Sequence, residues 1–177
     1  MVRRAMRRMA QWLMAAIMLP ALPASAQTVQ EYDLKAAYVY NFALFTEWPA
    51  ETVYDGGTLN ICVSSASAVR TALVSLGERS IRGRKIAVRN LGAADNPQNC
   101  QVVFLESADR ERWTHIKKGL GSGVLTISDD EEIGRGSAVI ALAMDGNRIV
   151  FDIDTRAARQ AKLVLSSKLL RLARTVQ

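Results

Sequence analysis

The chain has 177 residues, with 23 Lys and Arg against 17 Asp and Glu, one histidine and two cysteines. Four of the arginines (Arg3, Arg4, Arg7, Arg8) stand ahead of an apolar run; without them the balance is 19 to 17, or about +2 over the other 151 residues of the expected mature chain. The sequence pI near 9.7 therefore overstates the basicity, no Lys/Arg cluster is interleaved with aromatics, and nucleic-acid binding is set aside.

The first 26 residues read as a cleaved signal peptide. The basic start is followed by apolar residues from Met9 to Leu22, then Ala24-Ser25-Ala26 with small residues where a leader peptidase cuts. The apolar run, roughly 14 residues and broken by Pro20, falls short of the ~20 needed to span a bilayer. Residues 27–177 are then expected to form one extracytoplasmic domain.

The stretch YDLKAAYVYNFALFTEWP has helical spacing but is apolar on nearly every side, and predicts a helix over 33–47 that Pro49 stops. Asp55-Gly56-Gly57 is a turn and Leu59–Val63 a strand. Ser67 can cap a helix to about Leu76, with Val69, Leu73 and Leu76 on one side. Lys85–Asn90 alternates as a strand, and Asp95-Asn96-Pro97 is a loop. Gln101–Leu105 (QVVFL) and Val124–Ser128 (VLTIS) read as strands buried on both faces, with a polar helix to about Lys118 between them. Asp129-Asp130-Glu131-Glu132 reads as a solvated acidic turn. Strands over 138–144 and 148–154 flank the hairpin signal Asp145-Gly146, Asp154 or Thr155 opens a further helix, and LVLSSKLLRLARTV predicts a last helix with Leu169, Leu170, Leu172 and Ala173 on its apolar side. The order predicts an α/β fold: one Rossmann-like domain with a largely parallel, mixed sheet, a C-terminal hairpin and helices on both faces.

Cys62 and Cys100 favour a disulfide in an oxidising compartment; a metal site or a catalytic thiol are the other readings. The search for chemistry finds no catalytic set, no cofactor loop and no metal motif. Gly119-Leu120-Gly121-Ser122-Gly123 precedes a strand, where a dinucleotide loop would follow one. His115 has no partner carboxylate indicated by spacing, and Ser166-Ser167 beside Lys168 reads as a helix cap. The expectation is a protein that is not an enzyme.

Four pieces taken together, YDLKAAYVYNFALFTEWP, LNICVSS, CQVVFL with VLTISD, and FDIDTRAARQAKLVLSSKLLRLA, resemble the YfiR-like family of periplasmic proteins across about residues 31–174. The resemblance implies a periplasmic regulator that represses an inner-membrane diguanylate cyclase, or a related sensor kinase, by binding its periplasmic domain. Cyclic-di-GMP signalling and biofilm formation fall in consequence. It also implies an OmpA-like outer-membrane lipoprotein as a second partner, a homodimer, and a Cys62–Cys100 disulfide between the first strand and the QVVFL strand. The chain departs from the pattern in having no second cysteine pair, in Glu132-Ile133 where a glycine-phenylalanine pair is usual, and in Phe151-Asp152-Ile153-Asp154 where F-E-I-N is usual. Ile133, Arg156 and Arg159 are the expected partner contacts. The alternative reading is a periplasmic small-ligand sensor module reporting to a membrane partner.

Overall fold

The computed structural model describes residues 24–92, 97–135 and 138–177, with side chains from residue 31 onward. Residues 1–23 of the expected signal segment and the Asp95-Asn96 loop lie outside the described residues.

In chain order the elements are helix α1 (Ala24–Leu44), strand β1 (Thr46–Glu47), β2 (Leu59–Val63), α2 (Arg70–Ser75), β3 (Ser80–Ile81), β4 (Arg84–Asn90), β5 (Val102–Leu105), α3 (Arg110–Gly119), β6 (Leu125–Ser128), α4 (Glu131–Arg135), β7 (Ile140–Asp145), β8 (Arg148–Ile153), α5 (Thr155–Gln160), β9 (Val164–Leu165), α6 (Ser167–Leu172) and β10 (Thr175–Val176). Eight strands form one sheet in the order β10-β8-β7-β6-β5-β2-β4-β3, and β1 pairs with β9 apart from it. The pairs β4–β2, β2–β5, β5–β6 and β6–β7 are parallel. Strands β7 and β8 form an antiparallel hairpin closed at Asp145↔Arg148, with Gly146 at φ +59° in the turn. The α/β expectation holds, with the hairpin where Asp145-Gly146 placed it.

The parallel strands leave β2 in both directions, β4 to one side and β5, β6 and β7 to the other. A parallel crossover is right-handed, so the two directions carry their helices on opposite faces. Strand alternation shows the result. Val102 and Phe104 face a core shared with α1 and α2, while Val103 and Leu105 face a second core containing Ile116 of α3 and Ile133 of α4. Helix α4 can lie close to β7 because Gly134 has no side chain; a Cβ there would fall 2.8 Å from the Ala141 Cβ.

This layout explains the apolar character of α1. With α3 and α4 on the far face, the near face of β5–β8 needs another cover. Ala36, Val39, Phe42 and Ala43 are buried there, and Phe42 meets Phe151 of β8 edge-on at 4.8 Å between ring centroids. The Tyr38 hydroxyl donates to the Ile149 carbonyl at 3.2 Å, and Tyr32, Tyr40 and Phe45 pack at the margin. Each large side chain buried in this way contributes about 1.5–3 kcal/mol.

The structure departs from expectation in several places, among them α2, which opens at Arg70 behind Val69 with no side-chain cap where Ser67 was expected to supply one. The first helix is Ala24–Leu44, not 33–47: Thr46 and Glu47 leave it to pair with Leu165 and Val164, and the Thr46 hydroxyl closes the end by donating to the Phe42 carbonyl at 2.7 Å. The last helix ends at Leu172, which is 63% exposed, and Thr175 and Val176 pair in parallel with Asp152 and Ile153. The acidic run is not a solvated turn: Glu131 opens α4, and Asp130, 5% exposed, accepts from the Ile133 amide at 3.1 Å.

Candidate functional site

Where parallel strands leave a central strand in opposite directions, the loops at their carboxyl ends diverge and open a crevice. Here that point lies between β2 and β5. The loop after β2 brings Ser67, the residue after β5 is Glu106, and the residue after β6 is Asp129. Lys35, the cation in the apolar helix α1, reaches the same edge. Its Nζ lies 2.7 Å from Glu31 Oε1 and 2.9 Å from Asp129 Oδ2, with the Lys35 and Asp129 side chains only 13% and 14% exposed.

The carboxylates divide into two kinds. Burial pushes the Glu106 carboxyl above its ordinary value; a bond with Ser67 opposes this, and repulsion from Asp129 and Asp109 adds to it. Burial likewise pushes Asp129 up, against hydrogen bonding and attraction from Lys35. For Lys35 burial acts downward, but its bonds and charge attraction to Glu31 and Asp129 outweigh it and raise the ammonium. Asp130 goes the other way, because the Arg110 guanidinium holds it below the usual carboxylate range. The buried Asp109 accepts from the Glu106 amide and from Arg112 Nε, each at 2.9 Å, and Arg112 also donates to the Leu91 carbonyl at 2.7 Å. As arranged, the cluster fastens α1 and α3 to the carboxyl edge of the sheet. Among the described residues no group of three or more His, Cys, Asp or Glu is arranged to hold a metal ion.

A cleft of about 530 Å³ lies beside this edge, between α4 and the outer face of β7 and β8. Ala141, Leu142, Ala143 and Met144 form its floor, and Asp129, Glu131, Arg135, Asp152 and Arg174 its rim.

The sulfurs of Cys62 and Cys100 are bonded, with Cα atoms 5.7 Å apart and 38 positions of separation. This is the disulfide expected, set between β2 and the start of β5. His115 is exposed on α3. Ile133 is 1% exposed in the core beneath α4, so as placed it offers no surface to a partner. Its apolar side chain anchors α4, where the sequence reading had set it beside a solvated turn. Arg156 and Arg159 are exposed on α5. That helix follows antiparallel β8 and therefore sits at the opposite edge of the sheet from Asp129; the structure separates the arginines from Ile133. Lys35, Glu106 and Asp129 were not picked out. The available signal was position: Glu106 and Asp129 directly follow buried-type strands, where α/β sheets gather functional groups, and Lys35 is a cation set in an apolar helix.

The chain is thus a doubly wound α/β domain of the flavodoxin-like strand order with a hairpin edge. It belongs to the YfiR/HmsC-like family (DUF4154), whose model matches residues 32–174. Membership supports a periplasmic regulatory role in general, and the disulfide fits an oxidising compartment. No curated protein matches the chain. Among solved structures it is similar to a conserved domain protein from Vibrio cholerae O1 biovar El Tor, at TM-score 0.51 and 9% identity, over 82% of this chain and 60% of that one. It is also similar to an ABC domain in complex with L-Trp from Streptococcus pneumonia, at TM-score 0.50 and 5% identity, over 78% and 62%. At such identities the likeness shows the fold alone. The chain spans about three fifths of the length of both structures.

Proposed function

We propose that the chain is a non-catalytic periplasmic repressor. It docks on the periplasmic domain of an inner-membrane diguanylate cyclase, or a related sensor kinase, and lowers cyclic-di-GMP synthesis and biofilm formation. The family match across residues 32–174 is the observation that carries this reading. Export by a cleaved signal peptide delivers the chain to that compartment, and an OmpA-like outer-membrane lipoprotein and a second copy of the chain are its further expected partners.

Repression of this kind is differential binding: the repressor must favour the inactive receptor over the active one. A 100-fold drop in output requires about 2.7 kcal/mol of difference. Arg156 and Arg159 support a contact on α5, since arginine is enriched among the residues that carry interface energy. Strand β9, which packs against α5, adds Val164 at 61% exposure. The test is deletion of the gene in a strain with an intact cyclase: cyclic-di-GMP and surface attachment rise, and unchanged levels overturn the proposal.

A second reading is favoured by the cleft of about 530 Å³, which has room for a small amphiphile above the β7 floor. In that case the chain reports a bound ligand to its membrane partner. Native mass spectrometry of freshly purified protein would then show a copurifying small molecule.

A further inference from the structure

The outer edge of β8 is closed by residues 174–177, through main-chain hydrogen bonds and one ion pair. The Arg174 amide donates to the Phe151 carbonyl at 2.8 Å, and the Gln177 amide to the Ile153 carbonyl at 2.9 Å. The Gln177 carbonyl accepts from the Thr155 amide at 2.8 Å and from the Thr155 hydroxyl at 2.6 Å. The Arg174 guanidinium grips the Asp152 carboxylate through Nε at 3.0 Å and through Nη2. Against this set of polar contacts there is no buried side chain: all four residues from Arg174 to Gln177 are exposed, Val176 at 46%.

The helix before this segment is held differently. In α6 Leu169 is 2% exposed in the core, and the Ser166 hydroxyl caps the first turn at the Leu169 amide, 3.2 Å away. The helix therefore has its own anchor, and the chain after Ala173 contributes no fully buried side chain to the core. The family match also stops at residue 174, so Thr175 and Val176 of the closing strand lie beyond the matched residues. An edge strand stripped of its cover presents a row of main-chain donors and acceptors to any extended chain.

We propose that the β8 edge is a strand-addition site for an extended segment of the regulated partner, and that residues 174–177 occupy it in cis as a displaceable cover. The incoming segment would run parallel to β8, carry a basic side chain one residue before the position opposite Asp152, within reach of its carboxylate, and follow it with β-branched or polar residues, as Arg174-Thr175-Val176-Gln177 does. Main-chain pairing supplies affinity in this mode and the side chain reaching Asp152 supplies selectivity. In its partner the proposal rests on the docking reading above.

The experiment uses a fluorescein-labelled peptide of sequence LARTVQ, the full chain, and a chain truncated after Ala173. Fluorescence anisotropy should show the truncated chain binding the peptide at least tenfold more tightly than the full chain, and an Arg-to-Glu change in the peptide should remove binding. Equal binding to both chains, or no binding to a truncated chain that keeps its near-ultraviolet circular dichroism, would overturn the proposal. Hydrogen exchange on the full chain decides the matter without truncation. The Arg174 and Gln177 amides should exchange at least tenfold faster than those of the β7–β8 ladder; co-protection with that ladder would make the tail an integral strand and end the argument. An exchanged dimer, with each tail on the other copy's β8, would also contradict it. Because no cyclase enters these measurements, their failure would leave the repressor reading standing.

Discussion

Replacing both bonded cysteines, Cys62→Ala with Cys100→Ala, should lower stability by about 4 kcal/mol. The bond closes a loop of 38 positions that contains α2, β3 and β4, the whole excursion from β2 to the sheet edge and back to β5. In the unfolded chain that closure removes conformational freedom, and the chain-entropy relation gives about 4 kcal/mol for a loop of this length. The folded state has little to lose, because Ile61 and Cys62 already pair with Val102 and Val103. Against a domain stability of about 5–15 kcal/mol this is a large fraction. At about 2–4 °C per kcal/mol for a domain of this size, the midpoint should fall by about 8–16 °C. Thermal unfolding followed by circular dichroism checks it, comparing the oxidised protein, the double variant, and wild type unfolded and refolded under reductant. The latter two should coincide. Since both cysteines are 3% exposed, reductant added to the native protein should act slowly. A double variant melting within about 2 °C of the oxidised protein would refute the loop-entropy reasoning.

Lys35→Met should destabilise by about 2–3 kcal/mol, less than the 3–5 of a fully buried pair, since it leaves Asp129 charged and without its main partner. The loss should be largest at neutral pH and shrink on acidification, because a protonated Asp129 no longer needs the ammonium; a pH-independent loss in urea unfolding would contradict the pairing. In wild type, Asp129 and Glu106 are raised by burial, so each binds its proton more tightly when folded. Their contribution makes stability fall as pH rises from the unfolded values, near 3.8 and 4.5, through the raised folded ones. Asp130 and Asp152 are held low by Arg110 and Arg174, and their contribution is lost as pH falls through their depressed values. Phe42→Ala should cost about 3–5 kcal/mol, whereas Leu172→Ala should cost under about 0.5; comparable losses by chemical denaturation would mean that α1 does not cover the sheet as described. The paired reversal Arg156→Glu, Arg159→Glu should leave the melting temperature unchanged and weaken partner binding at least tenfold in a pull-down titration.

The sequence exposed most clearly those features whose cause is local. Leu59–Val63 is a strand at the expected residues because its side chains fill both faces, and Asp154 and Ser166 cap their helices as short polar side chains do. What escaped was set by distant partners. Thr46–Glu47 and Val164–Leu165 are strands only because they meet each other. Ser80–Ile81 is a strand because Arg82 and Gly83, both at positive φ, fold it back on β4. Thr175–Val176 continued a helical pattern until the β8 edge offered it hydrogen bonds. The candidate site divides in the same way. The disulfide was visible as an isolated pair of cysteines, whereas Lys35 appeared only as an interruption in an apolar helix. Its role depends on Asp129, a residue 94 positions away. Ile133 was misplaced because four consecutive acidic residues suggest water, although the fold turns them into the start of α4 with its apolar residue inward.

The proposed docking is expected to silence a membrane enzyme. The most direct measurement adds purified oxidised protein to the periplasmic side of membrane vesicles carrying the cyclase and follows cyclic-di-GMP synthesis. Saturable inhibition, weakened by the Arg156 and Arg159 reversal, is the predicted result. Undiminished synthesis at protein concentrations far above those that capture the receptor's periplasmic domain would contradict it.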